Sequence, residues 1–226
     1  ITASIIVVVG LISGVFFLRE YKKSGAELQK DLRFIMPLAG LLYLGVFLDF
    51  IFVVSMGKNF PNSNGEVPII SYIWFPPLMY FLVNFNLKIL NVKKKKKILV
   101  PLSLVSIAYY ILIIIDPENS FYWARPENPG GSLIDYNSNL ASPAGVILAL
   151  LFIPITIYLS SLFLKKAMKA SGVIRKKLIY MALAGLTFCI GGIGEGLTVP
   201  GGLLILVRIS FTSSFILMYL ALRTSE

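Results

Sequence analysis

The chain has 226 residues, 57% hydrophobic and only 14% charged, and its mean hydropathy is +0.81. Soluble domains lie nearer half apolar and a quarter charged, so this balance argues against a water-soluble protein. The absence of His excludes bis-His haem, His-ligated zinc and any Ser–His or Cys–His nucleophile pair, and the single Cys excludes an internal disulfide or thiolate cluster.

Long apolar runs separated by polar clusters dominate the chain. A bilayer-spanning helix needs about 20 residues, because a ~30 Å core is covered at ~1.5 Å per residue. Seven runs meet or approach that length: residues 1–18, 34–56, 69–90, 98–115, 143–164, 178–199 and 202–222. The first shows no basic leader and no small-residue cleavage site, so it reads as a true helix and not as a signal peptide. The predicted fold is an all-α, polytopic bundle of seven transmembrane helices forming a single domain.

The connecting segments predict its orientation. Arg19, Lys22, Lys23, Lys30 and Arg33 fall between helices 1 and 2. Lys88 and Lys93 to Lys97 fall at the next basic junction, and Lys165, Lys166, Lys169, Arg175, Lys176 and Lys177 between helices 5 and 6. With Arg223 these make 18 of the 21 basic residues, against Lys58 and Arg125 on the opposite side. Short basic loops stay cytoplasmic, which puts the N-terminus outside and the C-terminus inside. The net charge of +10 therefore implies anionic lipid headgroups as partners, not nucleic acid.

Two outer connections differ in character. Residues 58–68 are rich in Asn, Gly and Pro, as a short turn-forming connector should be. Residues 116–142 are longer, carry Phe121, Tyr122, Trp123 and Arg125, and read as a lid, a disordered connector or part of an interfacial aromatic belt.

Three ionisable residues fall inside spans: Asp49, Glu195 and Arg208. A charge near the bilayer centre costs at least ~2.5–3.5 kcal/mol, so each needs a partner or a wet surrounding. Asp49 and Arg208 both lie about 6 Å outward of their helix midpoints, and Glu195 about one turn higher. Arg208 is thus expected to pair with Asp49, Glu195 or both. The arrangement reads either as an outward-facing ligand, ion or proton site or as a structural clasp. Thr212 lies one turn below Arg208, among Ser210, Ser213 and Ser214. Tyr72 and Trp74 stand at the outer end of helix 3, before Pro76 and Pro77, which should kink it. Asn84 and Asn86 lie deeper. The candidate ligand-binding set is therefore Asp49, Glu195, Arg208, Thr212, Tyr72 and Trp74. Gly10 and Gly14 form a GxxxG pair, expected to serve packing inside the bundle.

Residues 192–195 (GIGE) resemble the GxGD signature of intramembrane aspartyl proteases. The acid is Glu, it sits near the outer surface, and an Arg is placed to neutralise it, so a protease dyad is rejected. No enzymatic chemistry and no catalytic residue is expected.

Seven helices, an outer N-terminus and the Gly-rich stretch 190–200 (IGGIGEGLTVP) resemble the microbial rhodopsin architecture. That family holds retinal through a Lys in helix 7, where this chain offers only Arg208, Ser213 and Ser214. The resemblance therefore implies the topology without the retinal cofactor. The same topology, with helix 7 leaving the membrane through Tyr219, Leu220, Ala221 and Leu222, is similar to the seven-helix sensor modules that precede histidine kinase domains. That resemblance implies a receptor-like, sensory role with a cytoplasmic signalling partner. The alternatives are a small ion, proton or solute transporter or channel, and a non-catalytic subunit of a membrane complex.

Overall fold

The computed structural model describes residues 2–25, 27–124, 126–197 and 202–223. Arg125 of the outer connection, and Pro200 and Gly201 of the Gly-rich corner, lie outside them. The chain divides into two compact units, Ile1–Leu148 and Ala149–Glu226.

The first unit begins with α1 (Thr2–Ser24) and α2 (Glu27–Leu41). Their contact is backbone-close: a β-carbon on Gly10 would stand 2.8 Å from the Gly40 Cα and from the Met36 carbonyl, and one on Gly14 would overlap the Pro37 ring. The GxxxG pair therefore packs α1 on α2 within the chain, as small residues in apolar helices allow. The expected second span is broken. After α2 the chain turns at Leu42 and Tyr43 and resumes as α3 (Leu44–Met56), bent by 50°. Neither turn residue is Gly or Pro. The cause is a long-range contact: Gly45 has no side chain, the Val67 carbonyl presses against its face, and its amide donates to the Ser71 hydroxyl at 3.0 Å.

The third expected span is also interrupted, where the prolines predicted it. The segments α4 (Glu66–Tyr72) and α5 (Phe75–Ile89) flank a step at Ile73 and Trp74. Pro76 and Pro77 have no amide hydrogen, so the carbonyls of Tyr72 and Ile73 lose their helical donors. The Tyr110 hydroxyl replaces one by donating to the Ile73 carbonyl at 2.8 Å. Helix α6 (Lys96–Ile115) follows a tight turn in which Asn91 takes a left-handed conformation, φ 56°.

The chain is helical as expected, and the connection after α6 adds a short hairpin. A single turn, α7 (Pro117–Ser120), leads into strands β1 (Phe121–Ala124) and β2 (Asp135–Ser138), paired antiparallel with Phe121 opposite Ser138 and Trp123 opposite Tyr136. Alternation puts those four side chains on one face. Four-residue strands were too short to register as alternation in the sequence.

The second unit takes most of α8 (Pro143–Met168), with α9 (Gly172–Leu197) and α10 (Gly202–Arg223). Gly191 admits the Phe211 backbone and Gly194 admits the Val207 side chain, so α9 and α10 cross closely. A run of ring contacts, Phe152–Phe188, Phe188–Phe211 and Phe211–Phe215, fills the space beside them at 4.7–5.7 Å.

Among the described residues, six spans are long and apolar enough to cross a membrane, and a seventh if the bent α2–α3 pair counts as one. Apolar side chains on their outer faces remain uncovered, among them Leu104, Ile107, Ile114 and Leu206, each more than half exposed. Exposed apolar side chains of this kind suit lipid, not water. The chain has the character of a multi-pass helical membrane protein.

Candidate functional site

Three carboxylates within the helices are settled in three different ways. Asp49, on α3, is fully buried. Its Oδ1 accepts from the Phe60 amide at 2.8 Å and its Oδ2 from the Ile134 amide at 2.7 Å. The Asn59 side-chain amide adds longer bonds to both oxygens, at 3.1 and 3.3 Å. Asn59 in turn binds the far connection, donating to the Ser132 carbonyl at 2.8 Å and accepting from the Gly130 amide at 2.7 Å. Gly130 itself has φ +80° and lies against the Gly57 carbonyl, where no side chain would fit. One acid thus ties together the 57–65 and 126–134 connections. Backbone amides are strong donors to a carboxylate, and bonds of this kind are roughly twice as strong as neutral ones.

Glu195 on α9 and Arg208 on α10 form the second arrangement. Arg208 Nη2 reaches Glu195 Oε1 at 2.7 Å and Arg208 Nε reaches the same oxygen at 3.1 Å, with side-chain exposures of 16% and 25% for Arg208 and Glu195. The pair expected from helix depth is therefore formed with Glu195. The glycines at 191 and 194 bring the two helices close enough for it. Thr212, expected on the Arg208 face, donates its hydroxyl to the Arg208 carbonyl at 2.8 Å. Ser213 and Ser214 likewise bond the carbonyls three residues back, so these hydroxyls serve their own helix. Ser210 instead reaches across to the Thr187 carbonyl of α9 at 3.3 Å.

The third arrangement was not among the expected site residues. Asp31 on α2 is buried, pairs with Lys88 of α5 at 2.8 Å, and accepts from Asn84 at 3.3 and 3.4 Å. In the sequence Lys88 falls at a basic junction, and Asp31 stands between the basic residues Lys30 and Arg33. Helical spacing was the available signal, since Asp31 shares its face with Ile35 and Ala39, which are also buried. Its neighbour Arg33 lies over the Tyr21 and Phe34 rings, at 4.9 and 4.6 Å. Asn86 donates to its own helix at Leu82.

Tyr72 and Trp74 belong to the first unit, at the α4–α5 step. Tyr72 stacks on Phe121 of β1 at 5.2 Å and meets Tyr136 of β2 edge-on at 6.1 Å. The Trp74 indole nitrogen is buried and has no hydrogen-bond partner among the described residues. Trp123 covers Gly65 at the head of α4. Phe121, Tyr136 and Trp123 thus sit against Tyr72 and Gly65 at the ends of α4, while Tyr122 is exposed.

The six expected residues therefore fall into two groups: Asp49, Tyr72 and Trp74 in the first unit, and Glu195, Arg208 and Thr212 in the second. Asn59 was missed because its role depends on loop closure. Among the described residues no group of His, Cys, Asp or Glu has the arrangement of a metal site. No protein family, characterised protein or solved structure matches the chain.

Proposed function

We propose that this chain is a seven-span membrane protein of receptor-like, sensory function, with its N-terminus outside and its C-terminus cytoplasmic. The bent α2–α3 pair then counts as one span, and the hairpin faces outward. Eighteen basic residues on the opposite side support that orientation through the positive-inside preference. The observation that carries the sensory reading is the Glu195–Arg208 clasp between α9 and α10, the last two helices. An ion pair between two apolar helices can serve as a two-state element: intact it holds the helices, and displaced it releases them. Because α10 runs toward the C-terminus, a change at this clasp would be delivered to the cytoplasmic face. The buried Asp49, held by backbone amides, supports a loop-organising role over ion carriage.

Spin labels at the basic ends of α9 and α10 test this reading. Arg208→Ala should broaden or lengthen the inter-label distance distribution in nanodiscs; an unchanged distribution removes the sensory reading. The orientation is checked separately in a Cys189→Ala background. Ser132→Cys should react with an impermeant maleimide in intact cells, and Ser171→Cys only after permeabilisation. The reverse pattern inverts the topology.

A further inference from the structure

The turn joining α5 to α6 holds five consecutive lysines, Lys93 to Lys97. Hydrogen bonds fix its backbone. The Val92 amide donates back to the Leu87 carbonyl at 3.0 Å and the Lys97 amide to the Lys94 carbonyl at 3.1 Å, with Asn91 left-handed at the corner. Lys93, Lys94, Lys96 and Lys97 are exposed, and among the described residues none of the five has an acidic partner. Asp31, the acid that reaches α5, is already taken by Lys88 and Asn84. Lys96 and Lys97 open α6, whose first turn holds no acid. Like charges in a row repel, and cations at a helix N-terminus oppose its dipole. The turn therefore works against its own stability until an anion meets it.

The side of α6 below the lysines decides what kind of anion fits. Val100, Leu104, Ile107 and Ile111 are all exposed and follow helical spacing, so they form one uncovered stripe. Lys96 and Lys97 stand one turn before Val100, at the head of that stripe. The segments 66–89 and 96–115 are each long and apolar enough to cross a membrane, which puts the turn between them at a bilayer surface. We infer that the turn and the stripe below it bind a phospholipid whose headgroup carries two or more phosphates, its acyl chains lying along Val100, Leu104 and Ile107. Clustered lysines beside a membrane helix attract phosphorylated headgroups in this way. A free polyphosphate would leave the apolar stripe unused, and a headgroup with a single phosphate would answer one charge of the five. The positive-inside preference accounts for basic residues on this face in general, but not for five on one ordered turn above an uncovered stripe. The inference depends neither on the sensory reading nor on which leaflet the turn faces.

The test titrates the full chain in detergent micelles with cardiolipin, whose headgroup carries two phosphates, and with phosphatidylglycerol at equal total charge. Bound lipid is counted by native mass spectrometry, and inorganic pyrophosphate is the control without acyl chains. A saturable one-to-one complex with cardiolipin is expected, about 10-fold tighter than with phosphatidylglycerol, and none with pyrophosphate at the same concentration. Lys94→Gln, Lys96→Gln and Lys97→Gln together should weaken that complex about 10-fold or more. Lys165→Gln, Lys169→Gln and Lys176→Gln remove as much charge near the α8–α9 turn and should change it by less than about 2-fold. Lys94→Arg, Lys96→Arg and Lys97→Arg keep the charge and should bind as the parent does. Without lipid the Gln triple at 94, 96 and 97 should melt no lower than the parent, because it relieves repulsion; a lower melting temperature overturns the charge argument. Equal affinity for the two lipids, equal binding of pyrophosphate, equal weakening by the two Gln triples, or lost binding in the Arg triple overturns the site.

Discussion

Asp49 and Glu195 are both carboxylates in apolar helices, one in each unit, and they are settled by opposite means. Asp49 is satisfied mainly by backbone amides brought in by two connections, while Glu195 is held by the Arg208 guanidinium on the adjoining helix. The first arrangement is distributed: removing the acid orphans donors in two separate loops. The second is reciprocal: its members can be removed together. A backbone-held acid is therefore part of the architecture, whereas a matched side-chain pair can be dissolved and re-formed without dismantling the fold.

The largest expected effect breaks the first arrangement. Asp49→Ala leaves the Phe60 and Ile134 amides and the Asn59 side chain without their acceptor, and should cost about 3–5 kcal/mol in detergent unfolding. A loss below about 1 kcal/mol would mean that the loops are held by something else. Arg208→Ala should cost about 2–4 kcal/mol by removing the guanidinium that pairs with Glu195, and the double variant Arg208→Leu with Glu195→Leu should recover most of it. That recovery is the sharpest contrast with Asp49, for which no compensating partner change exists. Asp31→Asn tests an intermediate case, removing the negative charge beside Lys88 but leaving Asn84 able to bond. A loss of about 1–3 kcal/mol is expected by thermal unfolding. The smallest effect is Asn59→Ala, about 1–2 kcal/mol, seen chiefly as faster hydrogen exchange at Gly130. Exchange unchanged at Gly130 would detach that loop from the Asp49 network.

Legibility in the sequence followed the range of the interaction. The spans were visible because twenty apolar residues are a local signal, and the α4–α5 step because Pro76 and Pro77 remove donors wherever they stand. The Gly10 and Gly14 contact followed from side-chain size, and the Glu195–Arg208 pair from helix depth. The α2–α3 break was hidden because it depends on Gly45 meeting Val67 and Ser71 across the unit. The hairpin was hidden because its strands are short and gain stability from Tyr72 and Gly65, not from their own pattern. Charge reasoning sought a cation for Asp49, and backbone amides carry no mark in a sequence.

The Asp49 network also has a history in time. Phe60 lies 11 residues after Asp49, but Ile134 lies 85 residues after it. At ~5–20 residues per second the ribosome needs roughly 4–17 s to add that second stretch. The carboxylate therefore has its Asn59 and Phe60 donors early and gains the Ile134 amide only when the hairpin segment has been delivered. Asp49 is in this sense closed last, by a loop that follows α7 in the chain.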